Sequence, residues 1–469
     1  MSTNFWSVKK DWIHFTAIAG VATGQIAAAC ARQGLFVTGS TGDQFYEPMK
    51  SFLLDLQAKG YIKLTSDFSY KSLLLSTYTG KIEDQNTLPA VVLAQGGLSL
   101  QNKELQFAEK RGVEVQHYAQ YLGENCVVKG GSIVVAGSFG KTTTTGLIIK
   151  ILENAGLETS YMVGAIVADI EDGVKLKREN TQYSVIEGDE YISARWDMKS
   201  KFFHYAPNYL VLTGYAYDHT DIFKTPQEYF DNFKNIVTSL DSTDILIFNN
   251  KYPELRELAS YAKSRVIGYS GDNFNFERKL IGNFNKENIA GAVTLAKELN
   301  IAEDVIARTV ASYIGPKRRL ESRWDGLLND NKIKIIDDFG ATPAKAKSAI
   351  AAIRAEFPKA NIISLFEPNF GSRTIQALSQ FEDTFAQTDK ILLLPFTAVN
   401  QEGIIDQQQL ASYLHEKGFK PVVLTAGDIS PQVLAELDAG RENIILFLSS
   451  HSIDDYYGQV KDAISYRAA

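Results

Sequence analysis

Short apolar runs alternate along the whole chain with small-residue turns and amphipathic stretches. Residues 13–19 (IHFTAIA) read as a buried strand, Gly20–Gly24 as a small-residue turn, and Gln25–Gln33 as an alanine-rich helix stopped by Gly34. A second strand at 35–40 (LFVTGS) completes a βαβ unit, the opening of a parallel α/β domain. Strands at Ala90–Ala94 and Val113–His117 extend it, and Lys129-Gly130-Gly131 reads as a linker. The pattern then restarts. SIVVA (132–136) is a buried strand followed by a loop and a helix over Gly146–Ala155, with further strands at Tyr183–Glu187, Tyr209–Thr213 and Asp244–Phe248. A helix after Asn285, carrying Ala290, Ala292, Leu295 and Ala296, closes this block. The last block begins near Gly315-Pro316. Its strands fall at Ile333–Ile336, Ala360–Leu365, Lys390–Leu394, Pro421–Leu424 and Asn443–Leu448. Strands alternating with helices predict parallel sheets, here in three α/β domains at 1–128, 129–314 and 315–469. No period of a solenoid repeat is visible.

Composition narrows the class without changing that picture. The 469 residues are 45% hydrophobic and 22% charged, ordinary values for a folded chain. A net charge of −7 and the absence of a basic stripe argue against a nucleic-acid binder. Two cysteines, Cys30 and Cys126, make neither a disulfide framework nor a zinc site. The polar and then aromatic start, Met1 to Trp6, lacks the pattern of a signal peptide, and no apolar run is long enough for a membrane span. The expectation is a cytoplasmic, soluble, multi-domain protein with no membrane partner.

Chemistry enters at Gly137-Ser138-Phe139-Gly140-Lys141-Thr142-Thr143, between a buried strand and a helix. Glycines there let backbone amides turn toward one anion, and the helix N-terminus adds partial positive charge. Lys141 supplies a point charge for phosphates, and the Thr142 hydroxyl suits Mg²⁺. The alternative, an ordinary glycine-rich turn, leaves the GKTT run unexplained. Counted from Gly137, the loop is shorter than the common GxxxxGK[ST] form.

This short loop preceded by Val-Ala resembles that of the Mur ligases, the ATP-dependent amide-bond ligases of peptidoglycan synthesis. The resemblance runs along nearly the full chain. The segments VIEGDEYISARWDMKSKFFHYAPNYLVLTGYAYDHTDIF (185–223) and YEPMKSFLLDLQAKG (46–60) look most like the murein-peptide branch. That branch joins L-alanyl-γ-D-glutamyl-meso-diaminopimelate to UDP-N-acetylmuramate in peptidoglycan recycling. The resemblance implies a Rossmann-like UDP-sugar domain, a central P-loop ATPase-type α/β domain and a Rossmann-like domain for the acceptor. It implies ATP and Mg²⁺ as cofactors and small-molecule substrates as partners. Two alternatives stay open: the sibling UDP-N-acetylmuramate–L-alanine ligase, and a nucleotide-binding paralogue that no longer ligates.

By the same resemblance, Lys141, Glu187 and His219 are catalytic, and Thr142, Glu187 and His219 hold metal. ATP meets Gly137, Ser138, Gly140, Lys141, Thr142 and Thr143, with Asn285 and Asn288 near adenine and Arg319 and Asp338 near the ribose and phosphates. Gly20 and Ser40 face the UDP-sugar, and Arg373 faces the acceptor's carboxylate. Each has a plainer alternative: a solvated acid at Glu187, a structural histidine at 219, an N-cap at Asn285, a solvated basic triplet at Lys317-Arg318-Arg319. Glu187, Asp189 and Glu190 cluster after an apolar strand, which is costly without a cation; Lys199 and Lys201 lie near with no assigned role. The chain also departs from the family's pattern. Phe139, Phe284, Gly340–Pro343 and Gly214–Ala216 stand where polar residues, mostly histidines, are usual; Ala17, Ala19, Ala22 and Thr41 depart in the first domain.

Overall fold

The structure is a computed structural model that describes residues 7–41, 49–66, 68–98, 101–219, 221–272, 276–328, 331–396 and 403–468. The expectations for Met1–Trp6 and for residues 46–48 of the second segment lie outside these. The chain divides into two compact units: Met1–Glu277 with Lys286–Tyr313, and Arg278–Asn285 with Ile314–Ala469. Among the described residues no helix is long and apolar enough to cross a membrane.

The first unit carries two large sheets. The first sheet uses β1 (Ser7–Thr16), β2 (Phe36–Ser40), β3 (Ile62–Thr65), β4 (Thr87–Ala94) and β5 (Glu114–His117), in the order β3-β2-β1-β4-β5. All neighbours are parallel. Its helices are α1 (Val21–Arg32), α2 (Met49–Ala58), α3 (Ser76–Thr79), α4 (Lys103–Lys110) and α5 (Tyr118–Asn125). The first strand stops at Thr16 and not at residue 19, because Ala17 turns into the left-handed region at φ 59°. The strand β3 has no apolar run to announce it: only Ile62 of its four residues is buried.

The second sheet uses β6 (Ser132–Ala136), β7 (Thr159–Met162), β8 (Val174–Lys175) and β9 (Tyr183–Gly188), then β12 (Tyr209–Leu212), β13 (Ile245–Asn249) and β14 (Arg265–Tyr269). The order is β14-β13-β12-β6-β9-β7-β8, parallel except for the β7–β8 edge. A separate antiparallel hairpin, β10 (Ile192–Ala194) and β11 (Asp197–Ser200), follows β9. The helices are α6 (Lys141–Asn154), α7 (Pro226–Thr238), α8 (Pro253–Ala259), α9 (Asn283–Glu298) and α10 (Glu303–Ser312). Helix α6 begins five residues before the expected Gly146, directly on the glycine loop. Register aligns Ala136 with Leu212 on one side and Gly188 on the other. The loops after β6, β9 and β12 therefore leave the sheet side by side at its carboxyl edge, where parallel sheets place ligands. The central strands are apolar on both faces, with Val134, Ile186 and Leu210 buried on one and Ile133, Val185 and Val211 on the other.

The second unit holds β15 (Glu321–Leu328), β16 (Asn331–Asp338), β17 (Asn361–Phe366), β18 (Lys390–Leu393), β19 (Pro421–Val423) and β20 (Asn443–Leu448) in the order β15-β16-β20-β17-β18-β19. Helices α11 (Pro343–Glu356), α12 (Gln407–Glu416), α13 (Ser430–Ala435) and α14 (Asp454–Ala468) accompany them. The antiparallel edge strand β15 was not expected, since its alternating ESRWDGLL pattern leaves one side exposed.

Candidate active site

The loop after β6 has the conformation its glycines permit. Gly137 has φ 134° and Gly140 φ 86°, both in the left-handed half of the map. Neither position has room for a Cβ, which at Gly140 would come 2.2 Å from Asn288 Oδ1 and at Gly137 2.7 Å from Gly214 O. The loop is tied to the segment after β12. Ser138 N donates to Gly214 O at 3.0 Å, and Thr213 Oγ1 donates to Phe139 O at 2.6 Å. Ser138 Oγ donates to Ala216 O at 2.7 Å and meets Tyr229 Oη at 2.8 Å. The helix α6 starts at Lys141, so its first-turn amides, including those of Thr142 and Thr143, open onto this loop.

Three acids stand at the end of β9, Glu187 within the strand and Asp189 and Glu190 just after it, and the structure separates their roles. Glu190 is buried, and its Oε2 accepts from Lys141 Nζ at 2.8 Å. Its Oε1 accepts from Tyr229 Oη at 3.2 Å and lies 3.5 Å from His219 Nε2. Asp189 pairs with Lys201 Nζ at 2.5 Å; burial works to raise its pKa, but Lys201 outweighs it and the carboxyl stays below the usual range. The two lysines are thus the cations that the acidic cluster demanded. Glu187 has neutral donors instead: Thr142 Oγ1 at 3.0 Å and Gly164 N at 2.8 Å. Burial pushes its pKa up despite both bonds.

A divalent cation suits this last pair. Mg²⁺ holds oxygens at about 2.0–2.1 Å and at right angles, so neighbouring ligands lie about 3 Å apart. Thr142 Oγ1 and Glu187 Oε1 are separated by 3.0 Å. His219 is placed differently from its expected role. It sits at φ 54°, its ring packs edge-on against Tyr191 at 5.0 Å, and Glu190 holds its imidazolium above the ordinary value. In this arrangement its Nε2 faces Glu190, and a metal ligand at 219 requires that contact to open.

Gly20 caps α1 and lines a cavity with Thr23, Gln95, Tyr118, Arg195 and Lys201. Ser40 corrects the expectation. It is fully buried, and its hydroxyl donates to Glu104 Oε2 at 2.8 Å, inside a polar network with Ser72 and His14. Thr41, next to it, is also buried. The sequence reading missed Glu190 and Arg195 as site residues. Glu190 stood in plain sight beside Glu187, whereas nothing local marks Arg195.

In the second unit, Asn285 is not an N-cap: α9 already starts at Asn283, and Asn285 Nδ2 donates to Ile281 O at 2.8 Å. Asn288 belongs to the first unit, where its carbonyl accepts from Thr144 Oγ1 at 3.2 Å. The basic triplet splits. Arg318 is anchored to Asp337 at 3.2 Å and to Ser449 O at 2.6 Å, while Arg319 is exposed. Asp338 is buried, accepts from Leu320 N at 2.8 Å, and is pushed up to about 6, chiefly by burial. Arg373 is buried and committed: Nη2 donates to Glu367 Oε1 at 3.0 Å and Nε to Pro368 O at 2.8 Å.

Two departures from the family's pattern prove to be one packing unit. A Cβ at Gly214 would lie 2.3 Å from the Phe139 ring, which meets Tyr252 edge-on at 5.6 Å. The bare backbone at 214 makes the space that Phe139 fills.

Comparison with known proteins agrees with this architecture. Residues 135–275 match the Mur ligase middle domain. The chain is 26% identical over 444 residues to the UDP-N-acetylmuramate–L-alanine ligase of Desulforapulum autotrophicum, covering 88% of this chain and 90% of that one. It is 23% identical over 381 residues to the UDP-N-acetylmuramate–L-alanyl-γ-D-glutamyl-meso-2,6-diaminoheptanedioate ligase of Haemophilus influenzae, covering 76% and 79%. The crystal structure of the UDP-N-acetylmuramate–alanine ligase from Thermotoga maritima superposes with a TM-score of 0.69 at 18% identity, covering 97% of this chain and 99% of that one.

Proposed function

The chain belongs to the Mur ligase family of ATP-dependent carbon–nitrogen ligases, and from that premise we propose that it forms an amide bond on the carboxylate of UDP-N-acetylmuramate. The observation that carries this reading is the conjunction at one sheet edge of the Gly137–Lys141 loop with the Thr142–Glu187 pair at 3.0 Å. The substrate carboxylate attacks the γ-phosphate of ATP, giving an acyl phosphate and ADP. An amine then attacks the acyl carbon, and the tetrahedral adduct expels phosphate. No enzyme nucleophile is required; the protein positions and neutralises.

Thr142 and Glu187 are the residues that would hold Mg²⁺, which supplies charge neutralisation between the two anions. Lys141 now rests on Gly137 O at 2.6 Å and on Glu190, and turns to the phosphates when ATP enters. Glu190 keeps Tyr229 and His219 as partners when Lys141 leaves, so no bare charge stays buried. The cavity beside Gly20 offers Arg195, Lys201 and the α1 N-terminus to a UDP-sugar.

For the acceptor, the segment 185–223 supports the tripeptide L-alanyl-γ-D-glutamyl-meso-diaminopimelate. The higher identity to the L-alanine ligase supports L-alanine as the second reading. Phosphate release from ATP and Mg²⁺, with UDP-N-acetylmuramate and each acceptor offered separately, decides between them. Release with the tripeptide alone upholds the first, and release with L-alanine alone upholds the second. Silence with both, while ATP binds, overturns both acceptor readings and leaves a changed substrate or a non-catalytic paralogue.

A further inference from the structure

The first unit holds another polar cluster, away from the phosphate loop. His117, at the end of β5, places Nε2 3.1 Å from Asp197 Oδ2 on β11. His204, in the turn 201–205, places its own Nε2 3.1 Å from the same oxygen, a charge contact outside hydrogen-bond geometry. The imidazoles meet edge-on at 4.8 Å. Two histidines and a carboxylate at this separation are the donor set of a transition-metal site. The backbone argues otherwise. Gln120 N donates to His117 Nδ1 at 3.2 Å, capping α5. An amide N–H only donates, so Nδ1 carries the lone pair and the ring proton sits on Nε2, facing Asp197. Metal ligation through Nε2 would put that proton on Nδ1, against the Gln120 amide, and break the cap.

We propose that His117, Asp197 and His204 form a proton-sensitive clamp that fixes the β10–β11 hairpin against the first sheet and so positions the wall of the cavity beside Gly20. The hairpin is gripped at a second point, where Arg195 N donates to Gly96 O at 3.1 Å and a Cβ on Gly96 would lie 2.2 Å from Ser193 O. On the other side, a Cβ on Gly123 of α5 would lie 2.5 Å from His204 O. Between these grips stand Tyr118, Ser193, Arg195 and Lys201 of the cavity. Lys201 Nζ lies 5.7 Å from the centre of the Tyr118 ring and 5.1 Å from that of Tyr191. The three clamp residues are positioning residues, and their bearing on UDP-sugar affinity rests on the function proposed above.

Acid opens the clamp. A second proton on His117 must enter at Nδ1, where the Gln120 amide already points, beside Lys201 and His204, with only Asp197 to compensate. The Trp196 ring packs 6.4 Å away. Burial lowers the pKa of His117, outweighing Asp197. The stabilisation is therefore present above the ordinary histidine value of about 6.5 and is lost as pH falls below it.

His117→Asn tests this, because asparagine still caps the helix but cannot reach Asp197; Asp197→Asn is the second variant. Binding of UDP-N-acetylmuramate is measured by calorimetry at pH 7.5 and 5.0. Wild type is expected to weaken severalfold at the lower pH. Both variants are expected to bind about tenfold more weakly at pH 7.5, with little further loss at pH 5.0, and to raise KM while kcat holds. Variants that match wild type at both pH values overturn the clamp. Hydrogen exchange of 192–205 without ligand gives a readout independent of the substrate. Protection that falls in both variants supports the clamp, and unchanged protection overturns it. If wild type binds no UDP-sugar, the substrate reading fails while the exchange result still decides the clamp. Tight stoichiometric Zn²⁺ binding to wild type, lost in His117→Asn, overturns the clamp in favour of a metal site.

Discussion

The phosphate loop and the opening turn of the first sheet are built alike, strand into glycine turn into helix, yet they hold their polar groups in opposite ways. After β6, each key side chain answers to another loop at the same sheet edge: Lys141 to Glu190, Thr142 to Glu187, Ser138 to Ala216. After β1, Gly20 offers only backbone, and the charged wall of its cavity comes from Arg195 and Lys201, far along the chain. Ser40, beside that turn through its pairing with Thr16 across β1 and β2, faces inward to Glu104. The first region is a motif, and the second is an assembly. A motif carries its chemistry in consecutive residues; an assembly carries it in the way distant segments fold together.

The sharpest way to break this contrast is at Lys141. Lys141→Ala is expected to lower kcat by about 10³-fold or more, since it removes the mobile charge aimed at the phosphates. Steady-state phosphate release measures it, and a loss under tenfold would make the loop an ordinary turn. Glu187→Gln keeps the hydrogen bond from Thr142 but removes the anion a cation needs. A loss of about 10²-fold in kcat, with a raised Mg²⁺ requirement, is expected in a magnesium titration. An unchanged requirement would remove Glu187 from the metal site.

Gly214→Asn probes the packing unit under the loop. Its new side chain collides with Phe139, so a loss of about 1–3 kcal/mol is expected in urea unfolding, and Phe139→Ala in the same chain should recover much of it. Additive losses would show that the two departures are independent. Ser40→Ala gives the smallest effect. It leaves Glu104 short of one donor in a buried network, which costs about 1–2 kcal/mol of stability with little change in the KM for UDP-sugar. A large rise in that KM with normal stability would return Ser40 to the ligand site.

The apolar runs of the chain place the central strands of all three large sheets within a few residues, because such strands are buried on both faces and leave unbroken runs. They miss β3, β14 and β15, edge strands whose exposed residues break the run, and also β7 and β8, where β7 is buried but opens on the polar Thr159 and Ser160 and β8 is only two residues long. The glycine loop was legible down to the residue, and so was the neighbouring acidic cluster. Which lysine answers which acid was not, since Lys141 and Lys201 lie 49 and 12 residues from their partners.

What the sequence determined by itself is therefore whatever is written locally: buried strands, the positive-φ glycines at 137 and 140, the charge of Lys141, and the need of three adjacent acids for cations. Only the tertiary structure decided that Ser40 points into the core, that the bare backbone at Gly214 leaves the space Phe139 fills, and that His117 meets Asp197. The reason is one of range. Backbone conformation and burial periodicity are set by neighbours within a few residues, whereas the partner of a polar side chain is set by which distant segments the sheet register brings beside it.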